Sequence, residues 1–273
     1  MPAAISTERA RRGRAELRRR IAISLIVFVL LMAAWHLSVR YLAVNVLIAP
    51  APGDVVLALV DGLFGRGTFW PHLRVTMIET LAGFGIGAVV GAILGVLIAE
   101  SRILRDVLYP YIVAFQTVPK VAIAPLFVIW LGFGIGSKIA IAATIAFFPV
   151  VVNMIEGLAA AEASLLEMMS AFGASRRDRF LLVKLPASLP FLFAGLDIAI
   201  VLAVIGAIVA EFVGAQAGLG YLIMQYNFNL DTAGIFAVLI VLAVIGTLLH
   251  WAVTAIQARV IFWKQTSSSM VRA

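Results

Sequence analysis

The chain has 273 residues, 63% of them hydrophobic and only 13% charged, with a formal net charge of +7 and no cysteine. Soluble domains hold about 45–50% apolar and about 25% charged residues, so the composition excludes an ordinary soluble domain and points to a chain that crosses a membrane repeatedly. The missing cysteine excludes disulfide staples and cysteine-ligated metals.

Residues 9–20, RARRGRAELRRR, concentrate basic side chains ahead of the first apolar run. Nucleic-acid binding is one reading of such a cluster; an orientation signal before the first span is the reading taken here. The apolar run continues to about Val39, and no small-x-small cleavage site follows it. It therefore reads as an uncleaved anchor rather than a secretory signal.

Six spans are predicted near 21–39, 77–99, 107–131, 137–156, 188–213 and 233–258. Each approaches the roughly 20 residues a helix needs to cross a bilayer. Helices are the default because lipid leaves each backbone polar group to be satisfied within its own segment. The alternating ten-residue segments of a β-barrel do not occur. With a cytoplasmic N-terminus (1–20), the cytoplasmic segments carry Arg9 to Arg20, Arg102, Arg105, Arg176, Arg177, Arg179, Lys184, Arg259, Lys264 and Arg272. The opposite side receives only Arg40, Arg66, Arg74 and Lys138. By the positive-inside rule both termini are predicted to be cytoplasmic, including a tail over 263–273.

Between the first two spans, 49–66 contains Val55, Val56, Leu59, Val60 and Leu63 at helical spacing, opened by Pro52 and Asp54. It is too short to span and is read as lying along the outer membrane surface. In the second span Gly83, Gly87, Gly91 and Gly95 recur every four residues. On a helix they form one smooth stripe for close packing; no strand precedes them, which argues against a dinucleotide loop. Pro119 and Pro125 interrupt the third span and Pro149 the fourth. Each removes a backbone donor, and the breaks read as packing kinks or as the broken helices of a transport path.

The ionisable residues predicted at membrane depth are Glu79, Lys120, Asp197 and Glu211. Such groups face a cavity or a partner, so Lys120, Asp197 and Glu211 are candidates for a path or for intramembrane pairing. Asp197 and Glu211 are fourteen residues apart, close to four helical turns, on about one face. No continuous chain of polar groups joins them into a proton relay. There is no G-x-x-x-x-G-K-[ST] phosphate loop, no histidine cluster for a metal and no convincing catalytic serine. A chain without its own energy-coupling chemistry is passive, ion-driven or powered by another protein.

The most informative segment is EMMSAFGASRRDRFLLVKLPASLP, 167–190. Leu165, Met168, Met169 and Phe172 fall at i, i+3, i+4 and i+7, one apolar face of a short helix. Gly173 follows where helices often end in a left-handed residue. Ser175 and Asp178 are spaced as a capping box opening a second helix, and Leu185–Pro186 is expected to turn the chain back into the membrane. The predicted unit is helix, glycine turn, helix, suited to docking into a partner's groove or to resting on the membrane.

The segment resembles the EAA motif of importer-type ABC transporter permeases: E-A-A, three residues, G, nine residues, I, one residue, L-P. Glu167, Gly173, Val183, Leu185 and Pro186 match at each step, while Met168 and Met169 replace the alanines. The stretches FVIWLGFGIGSK, LPFLFAGLDIAI and AEFVGAQAGLGYLI are similar to the subfamily serving nitrate, taurine, alkanesulfonate, pyrimidine-precursor and aromatic-acid uptake. One departure is Asp197, where many relatives carry a basic residue. The resemblance implies an all-α polytopic membrane protein with the type I ABC importer transmembrane domain over 72–262, including a cytoplasmic loop at 157–187. It further implies a second permease subunit, two cytoplasmic ATPase subunits that bind ATP and Mg, an extracytoplasmic binding protein and a bacterial inner-membrane location. No cofactor or metal is expected in this chain, which is read as a transport subunit and not an enzyme. On this reading Leu165, Met168, Met169 and Phe172 dock the ATPase, Gly173 permits the turn, Glu167 with Arg176 or Arg177 makes polar contacts, and Pro186 fixes the exit angle. The competing readings are an ion-coupled transporter or channel using Lys120, Asp197 and Glu211, and a membrane scaffold without transport.

Overall fold

A computed structural model describes residues 2–41 and 49–263, and of residues 2–18 the backbone alone. The basic side chains from Arg9 to Arg18, and Lys264 and Arg272 in the tail, lie outside the described residues. The chain divides into two units, Met1–Arg66 with Tyr226–Ala237, and Gly67–Gln225 with Val238–Ala273. Eleven α-helices and no strand occur among the described residues, so the protein is an all-α polytopic membrane protein.

In the first unit, α1 runs over Pro2–Tyr41 and α2 over Pro52–Val60, extended by a π-turn at Asp61–Gly65. The apolar part of α1, Arg19–Tyr41, is long enough to span. Pro52 suits the first turn of α2, where its missing N–H would go unused. Arg66 closes the π-turn through Asp61, and this hydrogen bond draws the Asp61 carboxyl below its ordinary pKa. Leu230, with φ 57°, turns the chain ahead of Thr232, and Asp231 caps Gly234 N–H at 2.8 Å.

The second unit is built on α3 (Phe69–Glu100), α6 (Ile135–Ala159) and α9 (Leu185–Gly214). The four stripe glycines of α3 are all buried. A Cβ at Gly83 would lie 2.5 Å from that of Ala142, one at Gly87 2.6 Å from Ala143 O, and one at Gly95 2.7 Å from Met154 Cβ. The stripe thus lets α6 approach the α3 backbone. Ala146 and Val150 then meet Ala199 and Ala203 of α9 in one buried cluster, and small residues again set the separation. Toward the helix ends, Ile98 packs with Val151 and Ile155, and Phe193 and Ile200 with Val253 and Ile261.

The third predicted span is not one helix. α4 covers Arg102–Thr117 and α5 Ala124–Leu131, joined through a 3₁₀ turn at Lys120–Ile123 and bent by 86°. The break begins at Val118, which is extended (φ −66°, ψ 129°) because Pro119 disfavours a helical residue before it. Pro149, by contrast, stays inside a continuous α6, and its carbonyl accepts from Asn153 Nδ2 at 2.8 Å. Among the described residues, five other helices are long and apolar enough to cross a membrane. The short α10, Leu219–Phe228, precedes α11, Thr232–Val260; no periodicity in the sequence announces α10.

Candidate functional site

Two regions stand out, at opposite ends of the α6–α9 pair. The first is the connection between those helices. α7 spans Ala163–Ala171 and ends in Phe172, with Gly173 at φ +78°. Gly173 N–H donates to Ser170 O at 3.0 Å and Ala174 N–H to Met169 O at 2.9 Å. These are the two bonds of a Schellman cap, which satisfies the last carbonyls of the helix. A Cβ at Gly173 would meet nothing within 4 Å, so backbone conformation rather than space calls for glycine. Ser175 and Asp178 then form a reciprocal capping box that opens α8, Arg176–Arg179.

The apolar positions of α7 divide. Leu165 and Met168 are exposed and Phe172 is 84% exposed, whereas Met169 is half-buried. Glu167, Arg176 and Arg177 are exposed. Arg179 Nη1 donates to Ser170 Oγ at 2.8 Å, tying α8 to α7. Lys184 pairs with Glu100 at the end of α3 at 2.6 Å. Leu166, Arg176, Arg179, Lys184 and Glu100 line a polar cleft of about 350 Å³ at the base of the connection.

The expected turn at Leu185–Pro186 does not occur. α8 continues through a π-turn at Phe180–Lys184 directly into α9. Lys184 and Leu185 keep right-handed helical angles. Proline is tolerated here because it falls in the first turn after the π segment. Arg176 to Gly214 is therefore one 39-residue helical rod.

The second region lies toward the far end of that rod. Glu211 is 2% exposed, and its Oε1 accepts from Thr76 Oγ1 of α3 at 2.6 Å. Its Oε2 accepts from Gly220 N–H. Thr76 Oγ1 in turn accepts from Leu219 N–H at 2.8 Å, and His72 Nδ1 from Gly218 N–H at 3.1 Å. The buried Lys138 donates to Phe133 O at 2.6 Å and Gly214 O at 2.7 Å. α3, α6, α9 and the turn into α10 are thereby clasped by buried polar groups.

Lys120, Asp197 and Glu211 keep three separate sets of neighbours. Lys120 Nζ donates to Gln116 O at 3.0 Å and lies 4.6 Å from the centre of the Phe148 ring. Asp197 pairs with His250 of α11. Glu211 belongs to the clasp. The charge bias counts Lys138 with the outer side, at the start of the fourth predicted span, and Thr76, His72 and His250 are not among the predicted site residues. A signal was available only for Lys138: three residues after Ile135 in an apolar helix, a cation needs partners. An open apolar groove of about 490 Å³ runs along α9 and α11 between Val204, Leu242 and Gly246 and reaches His250.

Comparison with known proteins gives a consistent result. The family described as binding-protein-dependent transport system inner membrane component matches residues 87–262. The chain is 33% identical over 240 residues to the formylaminopyrimidine transport permease protein ThiX of Halalkalibacterium halodurans, covering 88% of this chain and 95% of that one. It is 34% identical to the riboflavin transport system permease protein RibX of Chloroflexus aurantiacus, covering 88% and 89%. The taurine permease TauC of Escherichia coli is 28% identical, with 90% and 91% covered. Among solved structures, the inward-facing MetNI methionine ABC transporter superposes with a TM-score of 0.61 at 23% identity, over 76% of this chain and 97% of that chain. This last likeness concerns the fold.

Proposed function

Because the chain belongs to the inner-membrane components of binding-protein-dependent transport systems, as an ABC importer permease subunit, we propose that it forms a translocation path for a small solute, driven through the 157–187 loop by a separate ATPase. The observation that carries the coupling role is the projecting α7–Gly173–α8 unit with Leu165, Met168 and Phe172 exposed on it. Exposed apolar side chains on a rigid, capped helix suit a groove on a partner. Met adapts to such a groove, which accommodates Met168 where the motif has alanine. Glu167, Arg176 and Arg177 form a polar rim around that face.

On this reading two permease copies pair, two ATPase subunits bind ATP and Mg below them, and a binding protein delivers solute on the other side. Both termini and the loop face the cytoplasm. The proposed cargo is a small heteroaromatic vitamin precursor, sulfonate or comparable anion. Support comes from the names of the relatives and from the apolar, aromatic walls around Phe147 and Phe148. Walls of this kind give weak binding and leave selectivity to the delivery protein. Lys120 Nζ lies 4.6 Å from the centre of the Phe148 ring, which belongs to those walls.

The test is reconstitution of the permease with its co-encoded ATPase and binding protein in vesicles. Uptake that requires both ATP and the binding protein is the expected result. Uptake driven by an ion gradient without ATP would return the ion-coupled reading, and ATPase binding without uptake would return the scaffold reading.

A further inference from the structure

The clasp contains two buried acidic groups but one buried ammonium, and its hydrogen bonds assign the protons. Glu79 and Glu211 are each 2% exposed, and their carboxyl groups are neighbours in the clasp: Thr76, three residues before Glu79 on the same face of α3, holds Glu211 Oε1 at 2.6 Å. Two carboxylates buried side by side repel each other and lack water to screen them, so one of the two must carry a proton. Glu211 already accepts from Thr76 O–H and from Gly220 and Tyr221 N–H. Thr76 Oγ1 also accepts from Leu219 N–H, and of the two acceptors its proton can reach, Glu211 Oε1 at 2.6 Å is nearer than the His72 carbonyl at 3.2 Å. Glu211 is therefore the carboxylate and Glu79 the protonated acid.

The remaining oxygen supports this assignment. Glu79 Oε2 is buried without a hydrogen-bond partner. An orphaned carbonyl oxygen of a neutral acid costs far less than an orphaned oxygen of a buried anion. The neighbouring charges also close. Lys138 is 1% exposed and committed to the Phe133 and Gly214 carbonyls. His72 accepts at Nδ1 and so is neutral with its proton on Nε2. With Glu79 protonated, one carboxylate faces one ammonium and the cluster is neutral. With both acids ionised, a net negative charge would be buried against its own like charge.

We propose that Glu79 and Glu211 form a binding site for one proton, and that this shared proton fastens the Gly218–Gly220 turn, where α10 begins, to α3. The proton lets Glu211 remain a carboxylate strong enough to hold Gly220 and Thr76 while Glu79 sits against it. Glu79 is thus a positioning residue for the turn. The site is closed on all sides by α3, α6, α9 and the turn itself.

The full-length permease in lipid nanodiscs tests it by infrared spectroscopy and thermal unfolding. The wild-type protein at neutral pH is expected to show the carbonyl stretch of a protonated carboxylic acid, shifted in D₂O. That band is expected to disappear in Glu79→Gln, whose amide still donates to Glu211, with the unfolding midpoint unchanged. Glu79→Met, which fills the space but donates nothing, is expected to lower the midpoint. Thr76→Val is expected to keep the band, since it removes one donor to Glu211 and not the shared proton. Absence of the acid band in the wild-type protein overturns the proposal whatever the variants do. So does a Gln variant as unstable as the Met variant. A midpoint raised by sodium or potassium over choline in wild type but not in Glu79→Gln would also overturn it, by showing a metal cation in place of the proton.

Discussion

The Gly173 turn supplies the sharpest test of the coupling reading, because its requirement is purely conformational. Its φ of +78° lies in the left-handed region, which costs an L-residue about 1–2 kcal/mol. A side chain there would touch nothing within 4 Å, so Gly173→Ala adds this penalty and no clash. That energy corresponds to about a 5- to 30-fold loss in the population of the native turn. The loop is exposed, so the loss falls on the presentation of Leu165, Met168 and Phe172 and not on the membrane core. Affinity for the partner ATPase in detergent, and ATP-driven uptake in vesicles, are expected to fall about 5- to 30-fold in Gly173→Ala. Gly173→Val is expected to fall further, since β-branched residues are genuine outliers at positive φ. Gly173→Asn is expected to lose least, because asparagine visits this region locally. The unfolding midpoint of the membrane part stays unchanged in all three. Wild-type affinity and uptake in both Ala and Val, or Asn as damaging as Val, would refute the role assigned to the turn.

Phe172→Ala removes a side chain that is 84% exposed, so stability is expected within about 0.5 kcal/mol of wild type while ATPase affinity drops by more than about 1 kcal/mol; calorimetry and a binding titration separate the two. Gly87→Leu places atoms against the Ala143 carbonyl, 2.6 Å from the first added carbon, and is expected to destabilise by about 1–3 kcal/mol through overpacking, read as a lower unfolding midpoint in nanodiscs. Lys138→Met strands the Phe133 and Gly214 carbonyls and leaves Glu211 without its balancing charge, a loss of about 3–5 kcal/mol checked by the same measurement. The double substitution of Leu181 and Leu182 by glycine costs about 1 kcal/mol of helix propensity at each position, and because both side chains are exposed it gives up little buried apolar surface; ATPase binding is expected to persist while solute moved per ATP falls.

Much of this arrangement is legible in the sequence where a periodicity or a special backbone angle leaves a mark. The four-residue spacing from Gly83 to Gly95 identifies a helix face before its partner is known, and the structure supplies that partner as α6. Gly173 and the Ser175–Asp178 pair mark the end of one helix and the start of the next, because caps are local chemistry. The break in the third span was signalled by Pro119, but its 86° bend depends on packing that no local rule contains. Leu185–Pro186 misled for the opposite reason: proline reads as a stop, yet the π-turn before it makes it a tolerated early-turn residue. The clasp was least legible. Glu79 and Glu211 are 132 residues apart along the chain, and Lys138 looked like a flanking charge. Only the fold brings them to one place, and only donor and acceptor roles distinguish a proton site from two misplaced acids.

The rod from Arg176 to Gly214 joins the two regions. Its 39 residues rise about 58 Å at 1.5 Å each, well beyond the roughly 30 Å of a bilayer's hydrocarbon core. One end carries the capped loop and the other carries Glu211, so a force on the loop reaches the clasp through a single element. The far end of the rod is held to its neighbours by buried polar groups. The hydrogen bonds from Thr76 and Gly220 to Glu211, and from Lys138 to Gly214, provide that hold. The middle is lined by Ala199, Ala203 and Gly206, small residues that pack closely without interlocking deeply against α6. Tilting about the clasped end would therefore slide α9 along α6 instead of tearing polar contacts, and the displacement would grow toward the loop end, where Lys184 and Glu100 form a partly exposed ion pair that is weak enough to break.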